Sequence, residues 1–331
     1  MEPQPRSSRG FVRLVVSVVL FAAAIWLFLN RQAIIDQVSF WQYRPTQEIA
    51  ALADRAALSD HGRFYLYSAF PEIQDRDAFN KSCNTLRSSE SVVLGCYAAH
   101  RIYLFNVTDQ KLDGIKEVTA AHEMLHAAYE RLSEAERTRV DKLVNEAAAK
   151  VADENLKKLL KEYDKTEPGE RLNELHSILG TQVGNLGTEL EQYYQQYFTD
   201  RSKVVALSEK YESVFADLKS QQDQLAADLE QMARDLSQES SDFNAAITQL
   251  NKDIGTFNSR AQSGDFDSQA EFNAERADLI ARQEQLRDRQ STLSAKIALY
   301  NQKRTQLEAV NSQAEALNNS INSNLSPVPA L

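Results

Sequence analysis

The chain is 331 residues long and carries 37 Lys and Arg against 47 Asp and Glu, a formal net charge of −10. That acidity lacks the basic footprint of a nucleic-acid binder, and 2 Cys, 10 Gly and 7 Pro exclude disulfide-framework, collagen-like and Pro-rich chains. Pro71 and Pro168 are the only prolines between Thr46 and Ser326, so a mainly α protein with a small β component is expected.

From Phe11 to Leu29 the sequence reads FVRLVVSVVLFAAAIWLFL, with Arg13 its one charge. A run of that length just spans a hydrocarbon core, with Arg13 snorkelling at one end and Trp26 and Trp41 placed for an interfacial belt. A cleaved signal peptide is the competing reading. It fits poorly, because the run ends Trp26-Leu27-Phe28-Leu29 and not in a small-residue cleavage site. Arg6, Arg9 and Arg13 precede the span, while Arg31 and Asp36 follow it. Residues 1–10 are therefore expected in the cytoplasm and 11–30 as the anchor. The localisation this implies is a single-pass cell-membrane protein with most of its chain extracytoplasmic.

Residues 31–200 hold all 5 His and both Cys. Glu48–Leu58 reads as a helix, and Gly62–Ser68 (GRFYLYS) alternates like a strand. Val92–Leu94 and Arg101–Val107 (RIYLFNV) are strand-like as well. Cys83 and Cys96 flank a stretch rich in Ser and Asn, and a disulfide between them would close a loop of about 14 residues, worth about 3 kcal/mol in the chain-entropy model and natural in an exported domain. Two unrelated buried thiols are the alternative. Asp113-Gly114 then breaks the chain, and Ile115, Val118, His122, Leu125 and Tyr129 recur at helical spacing, giving an amphipathic helix with His122 in its apolar row.

Within that helix stands His122-Glu123-Met124-Leu125-His126, an H-E-x-x-H. Side chains four apart project from one helical face, so both imidazoles can reach one Zn²⁺. Glu123 is turned about 100° away and can serve a water as general base. The plainer alternative is a half-buried helix whose histidines satisfy local hydrogen bonds. A catalytic zinc also needs a third protein ligand. A second helix is expected to start at Thr166-Glu167-Pro168, run through Arg171–Leu179 and stop at Gly180.

Here the sequence resembles the gluzincin metallopeptidases, in which H-E-x-x-H is completed by a Glu on a later helix, often in an Asn-Glu pair. Asn173-Glu174 matches, so the resemblance implies Glu174 as third metal ligand beside His122 and His126. It also implies Zn²⁺ as cofactor, Glu123 as catalytic base and a protein or peptide as substrate. His176 is the rival, either as ligand or as stabiliser of the oxyanion. Tyr129 and Leu132 stand where the metzincin extension has Gly and His, which excludes that branch. Ile178 replaces the Asp that often follows the family's Glu. The resemblance further implies that Arg101–Val107 is an edge strand able to pair with substrate backbone.

Ser133–Glu136 and Thr188–Glu191 read as capping boxes, with helical stretches to about Val151 and over Asn155–Tyr163. Residues 201–322 read as an antiparallel coiled-coil hairpin, two helices of about 50–58 residues each, with a turn at Ala261–Asp267. Leu279, Leu286, Leu293, Tyr300, Leu307, Ala314 and Ile321 repeat every seven on its second arm. Its Gln-rich faces suit a spacer, a coiled-coil partner or self-association. Residues 323–331 are expected to be a disordered tail. The rival to a membrane-anchored peptidase is a non-catalytic tethered scaffold with a degenerate zincin-like domain.

Overall fold

The structure is a computed structural model and describes residues 8–83, 94–151, 157, 161 and 169–323. It is mainly helical. The chain divides into two compact units, Met1–Val214 together with Asn318–Leu331, and Phe215–Leu317.

The first unit begins with α1 (Ser8–Leu29), which is long and apolar enough to cross a membrane; Val12–Leu29 has mean hydropathy 2.5 and none of it is buried. Then come α2 (Arg31–Gln42), α3 (Gln47–Arg55), α4 (Asp60–Ser68), β1 (Glu72–Gln74), α5 (Arg76–Ser82), β2 (Gly95–Ala98) and β3 (Arg101–Phe105). After a 3-10 turn at Gln110–Leu112 follow α6 (Ile115–Glu130), α7 (Glu134–Ala148), α8 (Arg171–Gln182), α9 (Thr188–Tyr194) and the start of α10 (Arg201–Ser263). The core gathers on α6, whose Ala121, Met124 and Leu125 are fully buried, with Leu175 and Leu179 of α8 against them.

Several elements depart from the sequence expectation. GRFYLYS is helical, not a strand. Ser59 caps α4 by accepting from the Gly62 N–H, and the aromatics then sort onto separate neighbours: Tyr65 onto His61 and Tyr197, Phe64 and Tyr67 onto Phe40. Tertiary packing here overrides the strand propensity of aromatic residues. The small sheet runs β1-β3-β2, with β3 parallel to β1 and antiparallel to β2. The strand expected at the edge is therefore the middle one, and β2 is an edge strand among the described residues. Thr188 does not cap α9: Gly187 precedes the helix, and the Glu191 carboxylate accepts from Leu186 N–H and from Arg201 instead. The Ser133–Glu136 capping box is present. Residues 84–93, the 162–168 cap region, most of 155–163 and the tail from 324 lie outside the described residues.

In the second unit, α10 and α11 (Gln269–Ile321) pack together. Polar pairs across the seam join Gln222 to Asn311, Asp228 to Lys303, Glu239 to Lys296 and Asp253 to Arg282. One number rises as the other falls, so the arms are antiparallel. The turn is closed by Gly264 at φ +73° and by Phe257, Phe266 and Phe272, whose rings lie 5.1–5.4 Å apart.

Candidate metal centre

Helix α6 starts from Gly114, whose φ of +105° strains any other residue and where a Cβ would also crowd Leu207 at 3.0 Å. Asp113 just before it pairs with Arg55 and Lys210. The helix then runs through the core unbroken, so residues four apart face one way. Its partner α8 packs tightly on it at Gly180. Gly180, expected to end α8, lies inside it, and a Cβ there would meet Leu125 at 2.3 Å and Tyr194 at 2.9 Å. Gly180 is a packing glycine that lets α8 approach α6, not a helix stop.

That approach brings His122, His126 and Glu174 together. The two Nε2 atoms are 3.0 Å apart, and the Glu174 carboxylate oxygens lie 3.5 Å from His122 Nε2 and 3.4 Å from His126 Nε2. The three side chains are 17, 10 and 18% exposed, covered yet reachable from outside. His126 Nδ1 lies 2.9 Å from Asn173 Oδ1 and 3.3 Å from Ser177 Oγ, while Asn173 Nδ2 donates to Glu170 Oε2. With its NH₂ group used on Glu170, Asn173 presents a carbonyl oxygen, which accepts only from a protonated Nδ1. The His126 lone pair is then at Nε2, aimed at the other two donors. Two imidazole nitrogens and one carboxylate are a donor set that Zn²⁺ takes in catalytic sites, where a fourth position stays open. Among the described residues this is the one such His/Glu group.

Glu123 is 5% exposed and lies against the sheet: a Cβ on Gly95 of β2 would stand 2.6 Å from its Oε1 and 2.8 Å from its Cγ. The glycine thus lets the edge strand pass over the carboxylate side chain. Cys83 and Cys96 are joined by a disulfide with Cα atoms 6.0 Å apart, tying the end of α5 to the residue after Gly95.

His176 is not in the cluster. It is fully buried with its Nε2 2.9 Å from the Tyr193 hydroxyl, rings of Tyr129, Tyr193 and Tyr194 around it, and Nδ1 without a hydrogen-bond partner among the described residues. Burial, followed by the proximity of His126 and His122, pushes its pKa down to about 3. The ring is neutral at neutral pH and faces the tyrosines.

Two contributors were absent from the sequence reading. Ser177 stands one turn after Asn173 on the same helical face, a spacing that could have marked both as partners of one histidine. Gly95, in an undistinguished Leu-Gly-Cys, carried no such signal. Compared with known proteins, the chain matches no family model, no curated protein and no solved structure.

Proposed function

We propose that this protein is a membrane-anchored zinc peptidase of the gluzincin type. The observation that supports this most is the convergence of His122 Nε2, His126 Nε2 and Glu174 at 3.0–3.5 Å, with the far nitrogen of His126 turned onto Asn173. Zinc bound there supplies Lewis acidity, which polarises an amide carbonyl and acidifies water. Glu123 takes a proton from the attacking water on a carboxylate oxygen and returns it to the amide nitrogen that leaves. Asn173 and Ser177 hold the His126 ring in the tautomer that points its lone pair at the site. The edge of β2, lying on Glu123, aligns substrate backbone. α1 anchors the chain with its N-terminus in the cytoplasm, as Arg6, Arg9 and Arg13 favour, and the Cys83–Cys96 disulfide suits an oxidising compartment. The hairpin positions the peptidase unit or meets a coiled-coil partner or a second copy.

The test is zinc content and peptidase activity of the full chain in detergent micelles. One zinc per chain is expected, lost in His122→Ala and His126→Ala. In Glu123→Gln, zinc is expected to remain while activity disappears, since only the base is removed. A well-folded chain that takes up no zinc would sink the peptidase and leave the tethered scaffold.

A further inference from the structure

Helix α2 has two unlike faces. The inner one is fixed to the first unit. Asp36 is 3% exposed and accepts from Arg131 Nε at 2.6 Å and Nη2 at 2.7 Å; Arg131 follows directly on α6, the helix of His122 and His126. Phe40 packs on Phe64 and Tyr67, and Tyr43, just past the helix, donates its hydroxyl to Pro71 O at 2.8 Å. The helix is therefore a fixed strut of the unit and not a loose tether.

On the outer face Ile35, Val38 and Trp41 recur three apart and are 53, 40 and 65% exposed. The only charged residues of α2 are Arg31 and Asp36, and Asp36 is turned inward, so no carboxylate lies on this stripe. An apolar stripe of this kind on a fixed helix marks an interaction surface. What lies beside it says which. α2 begins one residue after α1, the exposed apolar helix, and the two are separated at Asn30, whose backbone at φ −103° and ψ 14° leaves the helical values and whose side-chain Nδ2 donates to Trp26 O. At 1.5 Å rise per residue, a straight continuation would carry Trp41 about 18 Å past the end of α1, beyond the headgroup layer. The non-helical Asn30 backbone is a point at which the chain can turn off that axis. An apolar stripe with Arg31 at one end and Trp41 at the other places at its ends the residue types that favour a lipid interface.

We propose that the outer face of α2 lies in the headgroup region of the bilayer, holding the first unit against the membrane surface. This rests on the reading of α1 as a membrane anchor, and the chain's own two tryptophans separate the two claims.

The full chain is placed in phosphatidylcholine–phosphatidylglycerol vesicles with bromine at shallow or deep acyl positions. With excitation selective for indole over the chain's 12 tyrosines, Trp26→Phe leaves Trp41 as the sole emitter, and Trp41→Phe leaves Trp26. Trp41 emission is expected to be blue-shifted from that of the denatured chain and quenched several-fold more by shallow than by deep bromine. Iodide in the water is expected to quench it weakly. Trp26 is expected to be quenched by brominated lipid in the companion variant. Trp26 quenched while Trp41 emits as in water, open to iodide, would overturn the interfacial helix and leave the anchor standing. If neither is quenched by lipid, the anchor falls and the inference with it. Trp41 shielded from both iodide and bromine would mean that protein, such as a second copy, covers the stripe, and would equally overturn it.

Discussion

In the first unit the buried apolar residues come from α3 through the start of α10, and the buried polar ones include His126, Glu123, His176, Ser177 and Thr181 on α6 and α8. In Phe215–Leu317 the buried side chains are a thin apolar series, Leu218, Leu250, Phe257, Leu279, Val310 and Leu317. The polar seam residues there, such as Lys303 and Asp228, remain 27 and 32% exposed. Burying polar groups is costly unless they are hydrogen-bonded or hold an ion, so a concentration of them is where a candidate site is to be sought. The hairpin follows the opposite rule. Leu279, Leu286, Leu293, Tyr300 and Leu307 form one row of its second arm. The row beside it places Arg282, Lys296 and Lys303 opposite Asp253, Glu239 and Asp228. Such half-apolar, half-ionic seams set register and partner choice more than they add stability.

The largest effect that would sharpen this contrast comes from ion pairs. The side chains of Asp36 and Arg131 are 5 and 6% exposed and joined bidentately, so Asp36→Ala leaves a buried guanidinium without its bidentate carboxylate, at a cost of about 3–5 kcal/mol. Hydrogen exchange resolved along the chain should show protection falling in α2, α4 and α6. Lys303→Met, which removes an equally short pair from the hairpin, should leave exchange in α10 and α11 unchanged. Equal losses at both places would erase the distinction between the two regions.

What could be read beforehand divides along the same line. The hairpin was legible because its period alone specifies it, and the turn at Ala261–Asp267 coincides with Gly264. α6 was legible for the same reason, with Ile115, Val118 and Leu125 in one row. The strand at Gly62–Ser68 was misread because its alternation is also what a short helix shows when its aromatics pack on several different neighbours. The edge position of Arg101–Phe105 failed because it depended on β1, three residues with no pattern of their own. Of the site, Asn173-Glu174 could be found by resemblance. The withdrawal of His176 into the tyrosines could not, since Tyr193 and Tyr194 belong to another helix.

Glycines give the next test, with opposite signs expected. Gly180→Ala puts a Cβ against Leu125 and Tyr194, both fully buried and unable to swing aside. The overpacking, about 1–3 kcal/mol, outweighs the roughly 1 kcal/mol of helix propensity that alanine brings. It also pushes α8 from α6, so zinc affinity should fall with stability if the metal reading holds. Gly255, within α10, borders open space: a Cβ there would meet nothing within 4 Å, so Gly255→Ala should stabilise the hairpin by about 0.5–1 kcal/mol. Exchange protection should drop around α6 and α8 in the first variant and rise around residue 255 in the second.

The smallest effect is a pH dependence. Burial alone would raise the Glu191 carboxyl, but Arg201 and the Leu186 N–H outweigh it and hold the pKa below the ordinary Glu value. A depressed carboxylate stabilises the fold above its unfolded pKa of about 4.3, and that contribution is lost as pH falls through the lower folded value. Arg201 also donates to Leu179 O and Val183 O at the end of α8, two turns beyond Glu174, so the loss should register there. Exchange protection at the end of α8 should therefore fall more between pH 5 and pH 3 in the native chain than in Glu191→Gln, which lacks the titrating group and starts from a lower level. Parallel acid losses in the two proteins would mean that other carboxylates dominate, and that the Glu191–Arg201 pair does not brace the helix bearing Glu174.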